Sequence, residues 1–120
     1  MNKLNYLLIT LSMVILASYS AIGQGFLPTS LKVTVLDELG NPVENADVVL
    51  FKTKEDYQKE TNPVVAVQKT NVKGQIKIKD LEPIQYYLHV TFDKKSNIGG
   101  GVLTNTLLEG RTNKVNTIIE

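Results

Sequence analysis

Beyond residue 30 the apolar and polar positions alternate in short runs, broken by Gly, Pro, Asn and Asp. Leu31, Val33 and Val35 alternate with Lys32, Thr34 and Leu36, the period-two pattern of a strand with one buried face. Ala46, Val48 and Leu50 predict the core face of a second strand, with Val49 and Phe51 on an opposite face that must be partly covered. Residues 64–69 predict a third. In the fourth, Ile76 and Ile78 alternate with Gln75, Lys77 and Lys79, a polar face that must meet water. Tyr86, Leu88, Val90 and Phe92 predict the inner side of a fifth strand, with Tyr87, His89, Thr91 and Asp93 outside. Residues 102–108 and 114–119 supply two more. Residues 53–62 carry charges without a periodic apolar set, which predicts a solvated loop with Tyr57 exposed. Residues 94–101 end in three glycines and predict a flexible connection. Seven short strands with such turn spacing predict an all-β fold, a sandwich or small barrel.

The chain opens differently. Lys3 precedes an apolar run from Leu7 to Ala17, and Ala21 and Gly23 place small residues before Gln24. This layout predicts a signal peptide at 1–23 with cleavage before Gln24, an arm at 24–30 and one domain at 31–120. The alternative is an uncleaved tether: the uncharged stretch 4–22 approaches the about 20 residues that span a bilayer. Its strongly apolar part is shorter than that, and no positive cluster follows it. The expectation is an exported protein, periplasmic or extracellular, with no membrane insertion after leader cleavage.

The chain has 120 residues and no cysteine, so the core alone must hold the fold, and lipidation after the leader is excluded. No Asn-x-Ser/Thr sequon occurs. Both features point to a bacterial exported protein. The formal charge is +1, and removal of Lys3 balances the remaining bases against 12 acids. Charges of both signs are interspersed, which argues against nucleic-acid binding and a polybasic membrane-surface role.

Three segments carry a resemblance. The first runs Val33-Thr34-Val35-Leu36-Asp37, then Gly40-Asn41-Pro42, then Ala46-Asp47-Val48. The second is Thr70-Asn71-Val72-Lys73-Gly74-Gln75-Ile76, and the third Leu81-Glu82-Pro83-Ile84-Gln85-Tyr86-Tyr87-Leu88-His89-Val90. In this order and spacing they resemble the carboxypeptidase regulatory-like domain, the transthyretin-like (prealbumin-like) sandwich of exported Bacteroidetes proteins. Pro83-Ile84 stands where that family has Pro-Gly, and its usual Gly-Tyr after the Tyr-x-Leu-x-Val strand is missing. The resemblance, over about residues 31–92, implies a seven-stranded Greek-key β-sandwich, transthyretin-like and Ig-like. It also implies an accessory module without assigned activity, whose partner is another envelope protein or a glycan.

Candidate chemistry is sparse. Enzymes on related sandwiches use several histidines, and this chain has only His89. One histidine makes neither a triad nor a metal site without partners, so no catalytic residue, metal or cofactor is expected. Asp37, Glu38 and Asn41 are too few oxygens for a calcium loop, and 99–101 lacks the Lys-Ser/Thr of a phosphate loop. The outward residues Tyr87, His89 and Thr91 form a possible ligand face. Lys32, Glu82 and Asn116 have the chain order of a self-formed isopeptide crosslink, but Lys32 faces away from Leu31 and Val33. The expected role is a non-enzymatic exported accessory module mediating protein interaction, with strand pairing at an exposed edge such as 102–108. The alternative is carbohydrate or small-ligand binding on a sandwich face.

Overall fold

The computed structural model describes residues 27–120. The predicted leader at 1–23 and the first three residues of the arm lie outside the described residues. The elements run β1 (Ser30–Leu36), β2 (Asp47–Phe51), α1 (Lys54–Lys59), β3 (Gln68–Lys69), β4 (Gln75–Ile78), β5 (Tyr87–Phe92), β6 (Lys95–Ser96), a 3-10 turn (Ile98–Gly100) and β7 (Thr112–Ile118). They form two sheets, β4-β1-β7 and β3-β2-β5-β6. All pairings are antiparallel except β1 with β7, which run parallel. Leu31, Val33, Val35, Ile76 and Ile78 from one sheet meet Val48, Leu50, Leu88 and Val90 from the other in a continuous buried core. The protein is a seven-stranded, two-layer β-sandwich, with a single short α-helix among the described residues.

Two turns share one device. The Asp37 carboxylate accepts hydrogen bonds from the N–H groups of Leu39 and Asn41, each at 2.9 Å. The Asn71 side-chain oxygen accepts from Lys73 N at 2.9 Å and Gln75 N at 3.0 Å. Gly40 and Gly74 then take the positive φ, 84° and 71°, that closes each loop. The Asn41 N–H, followed by the Leu39 N–H, holds the Asp37 carboxyl below the usual carboxylate range. Thr70 ties the second turn to the chain before β2: its hydroxyl accepts from Ala46 N at 2.9 Å and donates to Val43 O.

Tyr86 is fully buried, and its hydroxyl accepts the Glu82 N–H at 2.8 Å. A tyrosine bonded back to the backbone a few residues upstream is the corner found in Ig-like sandwiches. It fixes the angle at which the chain enters β5.

Five expectations need correction. Residues 53–62 are not a solvated loop: they hold α1, capped by Thr53, whose hydroxyl accepts Asp56 N at 3.1 Å. Of 64–69 only Gln68 and Lys69 form a ladder with β2, and Val64 adds a single bond from its N–H to Leu50 O at 2.8 Å; Val64 and Val65 both pack against the core, which breaks the alternation. The expected strand 102–108 makes one bridge, Tyr87 to Leu103. Its backbone bonds are sparse, Leu88 N to Val102 O, Thr104 N to Tyr86 O and Leu107 N to Ile84 O, and the Thr104 hydroxyl, which accepts Tyr86 N and donates to Asn105 O, takes a place in what would be a regular ladder. The flexible connection at 94–101 is ordered by β6 and by Asn97, which is fully buried. Phe92 is also 39% exposed at the strand end and does not join the core.

Candidate functional site

The antiparallel register of β2 and β5 sets Phe51 opposite Tyr87, Val49 opposite His89 and Asp47 opposite Thr91. Strand alternation then carries all six side chains to the outer face of the four-stranded sheet. The structure thus brings Tyr87, His89 and Thr91 side by side, as the alternation required.

That face is covered. Helix α1 lies over it with Tyr57 as its wedge. The Tyr57 ring stacks on Tyr87 at 5.7 Å and 28° and meets Phe51 edge-on at 6.1 Å. It also meets the His89 ring edge-on at 5.8 Å. Glu60, the left-handed residue that ends the helix (φ 53°), places its Oε1 3.4 Å from His89 Nδ1. Phe51 is consequently 2% exposed, although it points away from the core between the sheets. Next to this cluster an open groove of about 270 Å³ runs between Val49, Pro63, Val67, Glu60 and Thr91. Asp47, at its rim, is tied to Lys69 at 2.8 Å.

Chemically, the arrangement orients one imidazole against one carboxylate beneath an aromatic lid. The groove offers a partly apolar floor with Thr91 and Glu60 at its edges. Among the described residues no group of three or more His, Asp or Glu is placed to hold a metal ion. Sequence reasoning missed Tyr57 and Glu60 as members of this cluster, while it set Phe51 on a face that must be partly covered without naming what covers it. The available signal was Thr53 followed three residues later by Asp56, a helix-start pattern around a lone aromatic.

Helix α1 spans six residues and buries none fully, so tertiary contacts must hold it. Tyr57→Ala is expected to release it, at a cost of about 1–2 kcal/mol from the lost aromatic pairs and area. Acrylamide quenching of tyrosine fluorescence should then rise as Tyr87 is uncovered. Unchanged quenching would mean that α1 is held by other contacts.

The isopeptide arrangement is not assembled. Lys32 lies opposite Lys114, and Asn116 opposite Thr34, both on the outer side of the sheet. Glu82 is engaged by Lys52 at 3.1 Å, beyond the end of β2 in the other layer. The inward positions at this level are Val33, Val35 and Thr117. The intact mass of the folded domain is therefore expected to equal that of its sequence, without the loss of ammonia that a Lys–Asn bond would bring.

Two stacked sheets, with first and last strands parallel neighbours, define a small β-sandwich of the type seen in pilin subunits. The chain is similar to the Streptococcal ancillary pilin (TM-score 0.58, 14% identity), the match covering 78% of this chain and 32% of that one. It is also similar to BcpA, the major pilin subunit of Bacillus cereus (TM-score 0.49, 18% identity), over 77% of this chain and 28% of that one. The chain thus spans about a third of the length of these pilins, and at 14% identity the likeness to the ancillary pilin is one of fold. No family model and no curated protein matches the sequence. Among the described residues no helix is long and apolar enough to cross a membrane.

Proposed function

We propose that this chain is a non-enzymatic accessory module of the bacterial cell envelope that works by holding another envelope protein. The observation that carries this reading is the pair of exposed apolar side chains at the start of β7, Leu27 and Leu108, with a third, Ile118, at its far end. Leu27, Leu108 and Ile118 are 65%, 57% and 47% exposed. Leu108 is bonded to Asn113 of β7, Leu27 lies beside Gly110 at its start, and Ile118 ends it. Clustered exposed apolar groups mark interaction surfaces more often than scattered ones do.

On this reading the domain is of the carboxypeptidase regulatory-like, transthyretin-like kind, exported from a member of the Bacteroidetes. Residues 1–23 are removed and the product begins at Gln24, in the periplasm or outside. The turn motifs at Asp37, Asn71 and Tyr86 support the family reading, and the pilin-type fold supports a structural role. The experiment is affinity capture of the mature protein with its envelope partners from the native host, comparing the wild type with Leu108→Glu. A partner retained by the wild type and lost with Leu108→Glu is the expected result. Capture of nothing by either protein, or no effect of the substitution, rejects the reading.

The second reading, a carbohydrate or small ligand on the face of Tyr87, His89 and Thr91, is favoured by the groove beside His89. It requires α1 to move, because Tyr57 occupies the Tyr87 ring.

A further inference from the structure

We propose that the free edge of β7, from Thr112 to Asn116, accepts an extended segment of the partner protein as an added strand, with an acidic side chain set against Lys114. The inference rests on the protein-partner reading and names how that partner binds.

In a parallel ladder the N–H and C=O of one residue point to the same side, and the side alternates along the strand. Ser30 N donates to Arg111 O, and Ile119 N donates to Leu36 O. With the register of β1 against β7, residues 111, 113, 115, 117 and 119 therefore face β1. Thr112, Lys114, Asn116 and Ile118 present their backbone groups to the other side. Ile118 is covered there: a Cβ on Gly100 would lie 2.7 Å from its carbonyl oxygen. Thr112, Lys114 and Asn116 remain, each with a donor and an acceptor that must find water or another chain.

The other sheet edges are shorter or closed. By the same logic β4, four residues long, turns only Gln75 and Lys77 outward. The edge strands of the other sheet, β3 and β6, are two residues long. The side of β5 next to β6 is closed by Asn97 and by Val102. The edge of β7 is the longest one left open among the described residues, and Lys114 stands on it, so an added strand must answer that charge.

A slot of about 360 Å³ runs beside that edge, between β7 and residues 104–108. Leu31, Leu107 and Val115 give it an apolar lining, and Asn113 closes one end by bonding Leu108 through both its oxygen and its nitrogen. A strand laid on β7 would turn alternate side chains into this slot, where apolar residues fit. Its other side chains would run past Lys114. This cation has no ion-pair partner among the described residues. Opposite charge across adjacent strands stabilises pairing, so the incoming strand carries an acid there.

A second copy fits less well. A twofold axis at Lys114 sets Lys114 against Lys114 of the other copy. An axis at Val115 pairs Thr112 with Ile118, whose edge Gly100 covers.

The test uses two soluble eight-residue peptides that alternate valine with threonine, one with a central glutamate and one with a central lysine. Binding to the isotope-labelled mature protein is followed by amide hydrogen exchange and heteronuclear shifts. The glutamate peptide is expected to protect the amides of Lys114 and Asn116 and to leave those of Gln75 and Lys77 unchanged. Lys114→Glu should weaken it about tenfold and transfer preference to the lysine peptide. Lys114→Pro should abolish binding of both, since the lost N–H points away from β1. Absence of protection at these amides overturns the strand addition. Equal affinity for both peptides overturns the acidic partner. Protection without peptide, together with a dimer in sedimentation, gives the edge to a second copy instead. If envelope capture still depends on Leu108 while the peptides fail, only this binding mode falls and the protein-partner reading stands.

Discussion

Replacing Asn97 by alanine is expected to lower the stability of the domain by about 3 kcal/mol and to open one side of the four-stranded sheet. Asn97 is fully buried in a stretch that carries no long apolar run. Its Oδ1 accepts Val90 N at 3.0 Å, and its Nδ2 donates to Leu88 O at 2.8 Å and to Gly101 O at 3.3 Å. Its own backbone N–H donates to Val90 O at 3.2 Å. The side chain thus stands in for a missing length of strand between β6 and Val102. Alanine would leave the N–H of Val90 and the C=O of Leu88 unpaired, each costing about 1–3 kcal/mol when water cannot reach it. Asn97→Asp should be at least as harmful, since it sets an acceptor against two carbonyl oxygens. Urea midpoints measure the loss, and hydrogen exchange at the Val90 amide locates it. A slow Val90 amide in Asn97→Ala would show that the backbone closes the edge without the side chain.

Much of the fold could be read in the sequence because its signals are local. Asp37 and Asn71 each bond N–H groups two and four residues on, and each is followed by a glycine of positive φ. Such turns are written within five residues, so they show in one sequence. Tyr86 and Glu82 likewise belong to one short segment. Period-two alternation placed β1, β2, β4 and β5 for the same reason.

Asn97 and Tyr57 could not be read in that way. Each is a single residue in a polar run, and its role depends on strands that arrive from elsewhere in the chain. Tyr57 becomes a lid only because β2 and β5 set Phe51 beside Tyr87. The stretch 102–108 misled for the opposite reason. Its apolar residues suggested a regular ladder, but it makes only scattered backbone bonds to residues 84–88, with the Thr104 hydroxyl taking the Tyr86 N–H. The candidate face was therefore half legible: alternation named Tyr87, His89 and Thr91, while the residues that cover them came from a segment without a period. The edge of β7 adds a further step, since which backbone groups are free follows from the register with β1 and from Gly100.

Gly74 and Gly40 sit in turns of the same design, yet alanine is expected to act very differently at the two. Both have positive φ, which costs a non-glycine residue about 1 kcal/mol or somewhat more. At Gly40 a Cβ would meet nothing within 4 Å, so Gly40→Ala should cost only that conformational term. At Gly74 a Cβ would lie 2.6 Å from Val35 O and 3.0 Å from Val43 N. Those two atoms are bonded to each other, and Val35 N donates to Gly74 O. No flexible side chain is there to move aside. The backbone of the first turn would have to part from the second, loosening Val35 in the centre of the three-stranded sheet. Gly74→Ala should therefore cost about 3–4 kcal/mol, with the strain and the disturbed bonds adding together. Thermal or urea unfolding of the two variants side by side gives the answer. Equal losses would show that the two turns can slide apart freely, and β1 would then owe its position to β7 more than to the paired turns.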